Sequence, residues 1–350
     1  MSLSQWSAAQ PDFKDLNLVI VPCLNEAAHL PELLTTLGDD PSCGRLVVVD
    51  GGSSDGSQAI VMAAMEKDSR IALLNNPKRL QAAGVNLAVE VYGAEFEWMV
   101  RVDSHCRYPA RYLTSLRDAA AKTGADSIVV PMVTSSLSGC FQRAAAAAQN
   151  SVLGTGGSAH RRVSKGAFVD HGHHALMRIA IFQSAGRYDE SFRANEDAEL
   201  DARITAGGGR IWLEPSAAIT YFPRSAPWPL WLQYFRYGRG RAMTILRHKP
   251  RLHLRQVLPL AVFPAILIAV AALCLGSANL LLFVPAAAWA AAVFASGFVL
   301  GIRARSACTA ACGLAAMIMH AAWSSGFWIQ CLGAAVRRPA KPPTPFASQA

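Results

Sequence analysis

The sequence predicts an α/β fold with a mostly parallel sheet that carries helices on both faces, followed by helices at a membrane. Apolar runs of strand length recur at 18–23, 46–49, 71–74, 96–102 and 127–130. Helical patterns with one apolar face separate these runs, so each run forms a β-α unit with the helix that follows it. Strands joined through helices pair in parallel, and continuous apolar runs indicate a sheet that is buried on both faces.

Charge divides the 350-residue chain into two parts. All 24 Asp and Glu residues lie in 1–214 together with 20 of the 33 Lys and Arg, so this part has a net charge of −4. The other 136 residues contain 13 Lys and Arg and no acid, so the formal net charge of +9 belongs to the C-terminal part. Long uncharged stretches separate these basic residues. This pattern favours anionic lipid headgroups over nucleic acid as their partner.

Two uncharged stretches in the C-terminal part have membrane lengths, 47 residues at 256–302 and 31 residues at 306–336. Since about 20 apolar residues span a bilayer, the first predicts two helices and the second a third one. These helices are expected near 257–275, 279–300 and 308–331. A single third span would place the basic C-terminal tail outside, against the usual charge rule, whereas a re-entrant hairpin would keep it inside. The sequence leaves both topologies open.

These boundaries predict five regions. In chain order, they are an N-terminal tail (1–16), an α/β domain (17–223), an amphipathic interfacial segment (224–255), a transmembrane region (256–336) and a disordered tail (337–350). The start of the chain lacks a basic segment followed by an apolar core, so we expect no secretory signal peptide. The protein is therefore expected to be a multi-pass protein of the inner, cytoplasmic membrane, with the α/β domain in the cytoplasm.

Polar residues collect where the predicted strands end. These are Asn25 and Glu26, Asp50, Lys78 and Arg79, and Asp103 and His105. Because parallel strands end at one edge of a sheet, and ligands bind there, the sequence predicts the site at this edge. The glycine-rich turn at 51–56 matches neither the dinucleotide-binding nor the P-loop pattern, which counts against NAD enzymes and P-loop NTPases.

The segment 99–105, MVRVDSH, is the main candidate for a cation site. A carboxylate and an imidazole two residues apart at the end of a buried strand can turn toward one cation, whose natural partner is a diphosphate. The alternative is an ordinary strand exit in which Asp103 caps the next turn.

Several motifs in order resemble those of family 2 glycosyltransferases, which are inverting enzymes with the GT-A nucleotide-sugar-binding fold. They are VIVPCLNE, VVDGGSSDGS, RVDSH and NEDAELDARI. The longer patterns VDGGSSDG, RVDSHCRYP, VDHGHHALM and GRYDESF are similar to the succinoglycan-biosynthesis glucosyltransferase subgroup. The resemblance extends over roughly 18–240.

The resemblance implies a UDP-sugar site at the sheet edge. Asp50 would recognise the uracil or ribose, and the turn that contains Pro22, Asn25 and Glu26 would form another wall of the pocket. Arg79 would lie near the phosphates. The alternatives are that Asp50 only organises the Gly-Gly turn and that Arg79 is a solvated loop residue.

A divalent cation, Mn²⁺ or Mg²⁺, is also implied, with Asp103 and His105 as its ligands. The chain departs from the commoner family pattern twice, with Gly51 in place of a second acid and His105 in place of the second Asp of Asp-x-Asp. Imidazole is a weaker partner than carboxylate for Mg²⁺, so we expect Mn²⁺ to support activity at least as well as Mg²⁺.

The Glu196-Asp197 pair is the candidate for the chemical step. In the family this pair supplies the catalytic base, and Asp197 is the matching position. Like-charged neighbours and partial burial predict a raised pKa for Asp197. The alternative is a helix N-terminus at which acids are stabilised by the helix dipole.

Aromatic and basic residues mix over 227–246, a pattern that predicts an interfacial helix. Within it, QYFRY is similar to the Gln-x-x-Arg-Trp motif of membrane polysaccharide synthases. This similarity implies that Gln233 and Arg236 lie near the acceptor or the diphosphate. The alternative is a membrane anchor without a role in binding.

The histidines at 171–174 and the eight cysteines are residue types that could bind zinc or form disulfides, but their spacing matches no known zinc or redox motif. His171, His173 and His174 could form a zinc site, but Cys or further carboxylate ligands at suitable spacing are missing nearby, so a strand bordering the sugar and acceptor pocket is favoured. The eight cysteines are scattered and contain no Cys-x-x-Cys. We expect all eight to be packing residues in a reducing compartment.

The resemblance implies a membrane-bound inverting hexosyltransferase. It would move a hexose, glucose from UDP-glucose, to a polyprenyl-diphosphate-linked sugar in exopolysaccharide biosynthesis. A processive polysaccharide synthase is the nearest alternative, but about three spans are too few for an export channel. A catalytically degenerate, membrane-anchored nucleotide-sugar-binding scaffold is another alternative, and Gly51 and His105 are the residues that support it.

Overall fold

The computed structural model describes residues 15–137, 139–156, 165–249 and 257–336. The tail predicted over 337–350, most of the predicted N-terminal tail and the end of the predicted interfacial segment lie outside these residues.

The N-terminal third alternates between strands and helices as predicted. Its elements are β1 (Asn17–Cys23), α1 (Leu30–Gly38), β2 (Cys43–Asp50), α2 (Ser57–Met65), β3 (Ile71–Asn75), α3 (Gln81–Tyr92), β4 (Trp98–Arg101), β5 (Cys106–Arg107), α4 (Tyr112–Thr123), β6 (Ser127–Val130) and β7 (Met132–Thr134). The five predicted strands are β1, β2, β3, β4 and β6.

The rest of the α/β domain is less regular. It contains α5 (Cys140–Asn150), α6 (Val152–Thr155), β8 (Ala167–Phe168), β9 (His173–Arg178), α7 (Ile179–Ser184), α8 (Glu196–Ala206), β10 (Ile211–Leu213) and β11 (Ile219–Tyr221). Among the described residues that follow, the α-helices are α9 (Pro227–His248), α10 (Val262–Cys274), α11 (Val284–Ala304), α12 (Ala307–Ala310) and α13 (Cys312–Val336).

The central sheet has eight strands in the order β3-β2-β1-β4-β9-β6-β10-β8. The four strands from β3 to β4 pair in parallel, which confirms the β-α grammar of the sequence. β9 runs antiparallel between β4 and β6 and makes the sheet mixed. A second sheet, in the order β5-β11-β7, lies beyond the ends of these strands.

Both faces of the sheet are covered by helices. Along β1, Val19 and Val21 pack on one face with α1 and α4, whereas Leu18 and Ile20 pack on the other face with α3 and α8. All four side chains are fully buried. Because successive side chains of a strand point to opposite faces, a continuous apolar run is what this two-sided core requires.

The helix α9, predicted as an interfacial segment, packs closely on α13. A Cβ atom at Gly238 would lie 1.9 Å from the carbonyl oxygen of Trp323, and one at Gly326 would lie 2.1 Å from that of Phe235. Only glycine fits at such distances, so each helix offers a glycine where the backbone of the other approaches. α9 is thereby held against the apolar C-terminal helices.

Two helical segments in the described ranges are long and apolar enough to cross a membrane, Val284–Ala304 and Ala307–Val336. The first predicted segment, 257–275, corresponds to Leu258–Cys274, which is apolar but shorter. Because this helix is shorter than the other two, the number of membrane spans stays a prediction.

Cys140 at the start of α5 and Cys308 in α12 are joined by a disulfide, with Cα atoms 5.0 Å apart. The prediction that all eight cysteines are unbonded is therefore wrong for this pair. The two residues are 168 positions apart, and they meet because the C-terminal helices pack on α5. No local spacing could have indicated the pair.

Candidate active site

A cleft of about 200 Å³ opens at the predicted edge of the sheet, where β1, β2 and β4 end. Its lining includes Pro22, Glu26, Arg79, Asp103 and His105. These residues come from three separate parts of the chain, the end of β1 with its turn, the loop after β3 and the segment after β4, so the fold brings together five of the residues that were predicted to bind the donor or its cation.

Asp50 organises the turn after β2 and does not line the cleft. Its carboxylate is 1 % exposed and accepts hydrogen bonds from Gly52 N at 2.9 Å, Ser53 N at 3.0 Å and Gln58 Nε2 at 2.6 Å. Burial raises the pKa of Asp50, but the hydrogen bonds from Ser53 and Gln58 lower it by more. The structure thus favours the alternative in which Asp50 stabilises the Gly-Gly turn, over the predicted contact with the nucleoside.

Asn25 also acts within the turns rather than in the cleft lining. It adopts a left-handed conformation with φ 58°. Its Oδ1 accepts from Ser54 N at 2.8 Å, and its own N–H donates to Ser53 Oγ at 2.8 Å. Ala27 N donates to Asp55 at 2.9 Å. These bonds hold the turn after β1 against the turn after β2, so Asn25 supports the cleft wall from behind.

Arg79 is a wall of the cleft. Its Nε donates to the carbonyl of Gly51 at 2.7 Å and its Nη2 to that of Gly52 at 3.2 Å. The glycine-rich turn therefore carries a cation at the edge of the cleft, and the contact of Arg79 with a phosphate stays a prediction.

Asp103 follows β4 and is held on one of its two oxygens. Oδ1 accepts from Gln81 Nε2 at 3.0 Å and from Arg101 Nη2 at 3.1 Å, while His173 Nε2 lies 3.6 Å from Oδ2. Burial raises the pKa of Asp103, but Arg101 and the two nearby histidines lower it by more, so the net pKa lies far below its usual range. The carboxylate is ionised, as a cation ligand must be.

His105 is oriented by a second carboxylate. Its Nδ1 lies 3.2 Å from Glu26 Oε1, and its ring packs edge-on against Tyr221. Burial lowers the pKa of His105, but Glu26 and Asp103 raise it by more, and the net pKa is raised. A carboxylate on one ring nitrogen is the usual support of a histidine that ligates a metal through the other nitrogen.

The described residues fit a cation site with two protein ligands. In these ranges no three His, Cys, Asp or Glu side chains converge on one point that could hold an ion. Asp103 and His105 both line the cleft and together present oxygen and imidazole nitrogen. This donor pair suits Mn²⁺ once a ligand such as a diphosphate supplies further oxygens.

The Glu196-Asp197 pair begins α8 and is positioned by α9. Asn195 before it is in the left-handed region, with φ 69°, and its Nδ2 donates to Thr244 Oγ1 of α9 at 2.8 Å. A Cβ atom at Gly240 of α9 would lie 2.2 Å from the carbonyl oxygen of Ala194. The interfacial helix therefore approaches the backbone directly before the two acids.

Arg101 connects the two acidic centres. Its guanidinium is 6 % exposed, donates to Asp103 and Asp197, and lies 3.7 Å from Glu196 Oε1. A buried guanidinium needs such partners, because an unpaired charge in the interior is costly. Arg101 thus holds the predicted cation ligand and the predicted catalytic pair at a fixed separation.

The prediction that the pKa of Asp197 is raised is wrong. The pKa of the neighbouring Glu196 is raised instead. Burial raises the pKa of Asp197, but Arg101 and His174 lower it by more, so the carboxyl stays ionised. Burial and the adjacent Asp197 raise the pKa of Glu196 to about 7. The difference arises because Arg101 donates to Asp197 but is 3.7 Å from Glu196.

The three histidines near β9 do not form a zinc site. His173 faces Asp103, whereas His174 points to the other side of the strand and lies 2.7 Å from Asp201 and 3.3 Å from Asp197. Adjacent residues of a strand point to opposite faces, so they cannot share one ion. β9 borders the site, as the favoured interpretation predicts.

A larger cavity of about 1190 Å³ joins the two halves of the chain. Asp103, His105 and the Glu196-Asp197 pair line one side of it, and Gln233 and Arg236 of α9 line the other. Apolar residues of the C-terminal helices, among them Leu258, Met319 and Trp323, complete its wall. All site residues predicted from the motifs at 101–105, 196–197 and 233–236 therefore face one space.

Gln233 of α9 lines this cavity and has a buried amide. Its Nε2 donates to Tyr221 Oη at 2.8 Å and Tyr237 Oη at 2.9 Å. Its Oε1 is buried and has no hydrogen-bond partner among the described residues. A buried oxygen without a donor is costly, and a ligand hydroxyl would satisfy it.

Sequence reasoning missed four members of the site. Gln81 belongs to a segment that shows only a helical pattern, and Tyr188 and Asp201 lie inside the motifs GRYDESF and NEDAELDARI, which by themselves assign no role to either residue. Arg101 could have been found, since a basic residue within a continuous apolar strand requires buried acidic partners.

Comparison with known proteins identifies the family. The family model for glycosyl transferase family 2 matches residues 18–186. The succinoglycan biosynthesis protein ExoA of Rhizobium meliloti (strain 1021) is 46% identical over 318 residues, which cover 90% of this chain and 95% of that protein. The chain belongs to glycosyl transferase family 2. The predicted fold and the predicted family of this glycosyltransferase are thereby confirmed.

A solved structure shows the same fold. The mannosyltransferase PcManGT from Pyrobaculum calidifontis, in complex with GDP-Man and Mn²⁺, has a TM-score of 0.55 and 19% identity to this glycosyltransferase. The match covers 92% of this chain and 90% of that chain. The likeness in fold therefore extends over most of the length of both chains.

Proposed function

We propose that the protein is a membrane-bound inverting hexosyltransferase of exopolysaccharide biosynthesis that moves glucose from UDP-glucose to a polyprenyl-diphosphate-linked sugar. One observation carries this proposal: the cation-ligand pair and the catalytic acid pair face the same cavity, and α9 closes it from the other side. The relative from Rhizobium meliloti, named for succinoglycan biosynthesis, supports the pathway class. The mannosyltransferase in complex with GDP-Man and Mn²⁺ supports a nucleotide-sugar donor and a divalent cation.

The donor occupies the cleft at the ends of β1, β2 and β4. The nucleoside lies between the turns of Pro22 and Gly51, and the diphosphate reaches Asp103 and His105, which line both cavities. These two side chains would hold a divalent cation, which would supply positive charge to offset the negative charge of the departing diphosphate.

Asp197 is the base for the acceptor hydroxyl. Its lowered pKa keeps it ionised at neutral pH, the form that accepts a proton. The acceptor oxygen attacks the anomeric carbon, its proton passes to Asp197, and the bond from that carbon to the diphosphate oxygen breaks. A single in-line displacement of this kind inverts the anomeric configuration.

The acceptor enters from the side of α9 and α13. Arg236 and Gln233 offer polar contacts to a sugar diphosphate, and Leu258, Met319 and Trp323 offer an apolar path for the lipid. Exposed apolar side chains on the outer helices, such as Leu273, Phe294 and Phe298, suit contact with lipid. The α/β domain then lies at the cytoplasmic surface of the inner membrane.

The test is incubation of membranes that contain the protein with labelled UDP-sugars and polyprenyl-diphosphate-linked acceptors, with and without Mn²⁺. We expect one labelled hexose to be added to the lipid from UDP-glucose, and this transfer to stop after exhaustive chelation and to return with Mn²⁺. Longer products would support a processive synthase, and donor binding without transfer would support the degenerate scaffold.

The ligand role of His105 is tested by changing cation preference. His105→Asp restores the Asp-x-Asp pattern, so we expect the ratio of activity with Mg²⁺ to activity with Mn²⁺ to rise about tenfold, because Mg²⁺ prefers carboxylate. His105→Ala is the matched control, in which activity with both ions should fall. Equal activity of all three proteins with both ions would show that His105 is not a ligand.

The acceptor role of Gln233 is tested with Gln233→Leu. Loss of the amide removes the proposed polar contact of Gln233 with the acceptor, worth about 1 kcal/mol, so we expect KM for the lipid acceptor to rise about fivefold. KM for UDP-glucose should stay unchanged, since Gln233 does not line the donor cleft. A change confined to the donor KM would contradict the placement of the acceptor on this side.

A further inference from the structure

His174 is buried between two carboxylates on the side of β9 that faces away from the cleft. Its Nε2 lies 2.7 Å from Asp201 Oδ1, and its Nδ1 lies 2.6 Å from Tyr188 Oη. His174, Asp201 and Tyr188 are 2 %, 0 % and 3 % exposed, so water does not reach this group. Neither the donor cleft nor the proposed cation site uses these three side chains.

The hydrogen bonds of this group have one consistent direction. Tyr188 Oη lies 3.0 Å from Asp197 Oδ1, and because an ionised carboxylate only accepts, the Tyr188 hydroxyl donates its single proton there. The same oxygen then accepts from Nδ1–H of His174, and Nε2–H donates to Asp201. The chain therefore runs from His174 through Tyr188 to the oxygen of Asp197, with Asp201 fixing the far side of the ring.

Three side chains contact Asp197 at the same oxygen. Arg101 Nη1, Tyr188 Oη and His174 Nδ1 each approach Oδ1. The Asp197 side chain also lines the large cavity. Holding Oδ1 fixes the rotation of the carboxylate, so Oδ2 is the oxygen presented to an acceptor hydroxyl.

We propose that Asp201, His174 and Tyr188 form a buried relay that positions the Asp197 carboxylate, with Oδ1 held and Oδ2 directed at the acceptor hydroxyl. The proposal rests on the proposed function, because it takes Asp197 as the base. The charged groups that face His174 are Asp197 and Asp201 of α8 and Arg101 of β4. Asp201, His174 and Tyr188 are positioning residues, since they act through Asp197.

Asp201→Asn tests the relay in the full-length protein. It keeps the shape of the side chain but removes the charge that holds the ring, so we expect kcat to fall about 10- to 100-fold, as for other supporting hydrogen bonds of active-site groups. KM for UDP-glucose and the Kd for UDP should not change. Without the Asp201 charge, the protonated form of His174 is less stable, so His174 lowers the pKa of Asp197 less. The pKa of Asp197 should then rise, and the acid limb of the kcat profile should move to higher pH.

Asp40→Asn is the matched control for the loss of a buried carboxylate. Asp40 is 3 % exposed and accepts from Leu113 N at 2.8 Å and Thr114 Oγ1 at 2.7 Å, away from the site. This variant should lower the melting temperature and leave kcat per folded molecule and its pH profile unchanged.

Tyr188→Phe provides a second variant, because it removes only the hydroxyl that connects His174 to Asp197. It should reproduce the fall in kcat and the shift of the acid limb even where Asp201→Asn folds poorly. The relay is wrong if both variants keep kcat within twofold of the wild type with an unshifted profile. If Asp197→Asn itself retains turnover, the assignment of Asp197 as the base is wrong. This third variant therefore distinguishes a failure of the relay from a failure of the proposed function.

Discussion

Asp197→Asn is expected to lower turnover by about 10²- to 10⁴-fold, the usual contribution of a general base. The change removes the group that accepts the proton of the acceptor hydroxyl and keeps the shape of the side chain. Asp197 lies outside the cleft assigned to the donor, so the Kd for UDP should remain close to that of the wild type. Transfer from UDP-glucose to a lipid-linked acceptor, measured beside UDP binding by calorimetry, checks both parts.

Glu196→Gln is the matched variant for the neighbouring acid. Burial and Asp197 raise the pKa of Glu196 to about 7, so near neutral pH this carboxyl is partly protonated in the wild type. Glutamine resembles the protonated form, and we expect less than a tenfold loss of turnover at pH 7. If Glu196→Gln is the more damaging of the two variants, the roles of the two acids must be exchanged.

The fold was predictable because local patterns agree with the global arrangement. The strands β1, β2 and β3 are continuous apolar runs followed by helices, and each run leads to its polar residue at the sheet edge. β9 was harder to predict as a central antiparallel strand, because its apolar residues Ala175 to Met177 are few and follow several histidines. Its position between β4 and β6 depends on pairing between distant segments.

The site was predictable where a residue type determines the chemistry, and less so where neighbours do. Asp103 and His105 were proposed because a carboxylate and an imidazole end a strand, and Asp197 was proposed from the family resemblance; the structure brings all three to one cavity. The local contacts of Asp50 and the pKa of Asp197 depend instead on which donors fold back onto each carboxylate. For Asp50 these donors are Ser53 and Gln58, and for Asp197 the main one is Arg101.

Arg101→Met is expected to destabilise the folded protein by about 3–5 kcal/mol, the cost of leaving buried charges without a partner. Arg101 lies between Asp103, Asp197 and Glu196, and its removal leaves three carboxyl groups close together. Arg70→Met is the control, because its ion pair with Asp68 is at the surface, with 43 % of the Arg70 side chain exposed, and is worth at most about 1 kcal/mol. Melting temperatures of the detergent-solubilised proteins, compared at pH 7, check the difference.

The pH dependence of this loss follows from the lowered pKa values of Asp103 and Asp197. A carboxylate whose pKa is depressed by folding adds stability above its unfolded pKa, near 4, and loses that contribution as pH falls through the folded pKa. In Arg101→Met, burial is no longer offset by the guanidinium, so we expect the folded pKa values of both carboxyls to lie above the unfolded value. The variant then loses stability as pH rises through these values, and the gap to the wild type should be larger at pH 7 than at pH 5. Replacing Asp197 by Asn as well should recover part of the stability, since one uncompensated charge is removed with its former partner. A double variant no more stable than Arg101→Met would contradict the assignment of Arg101 as the charge partner of Asp197.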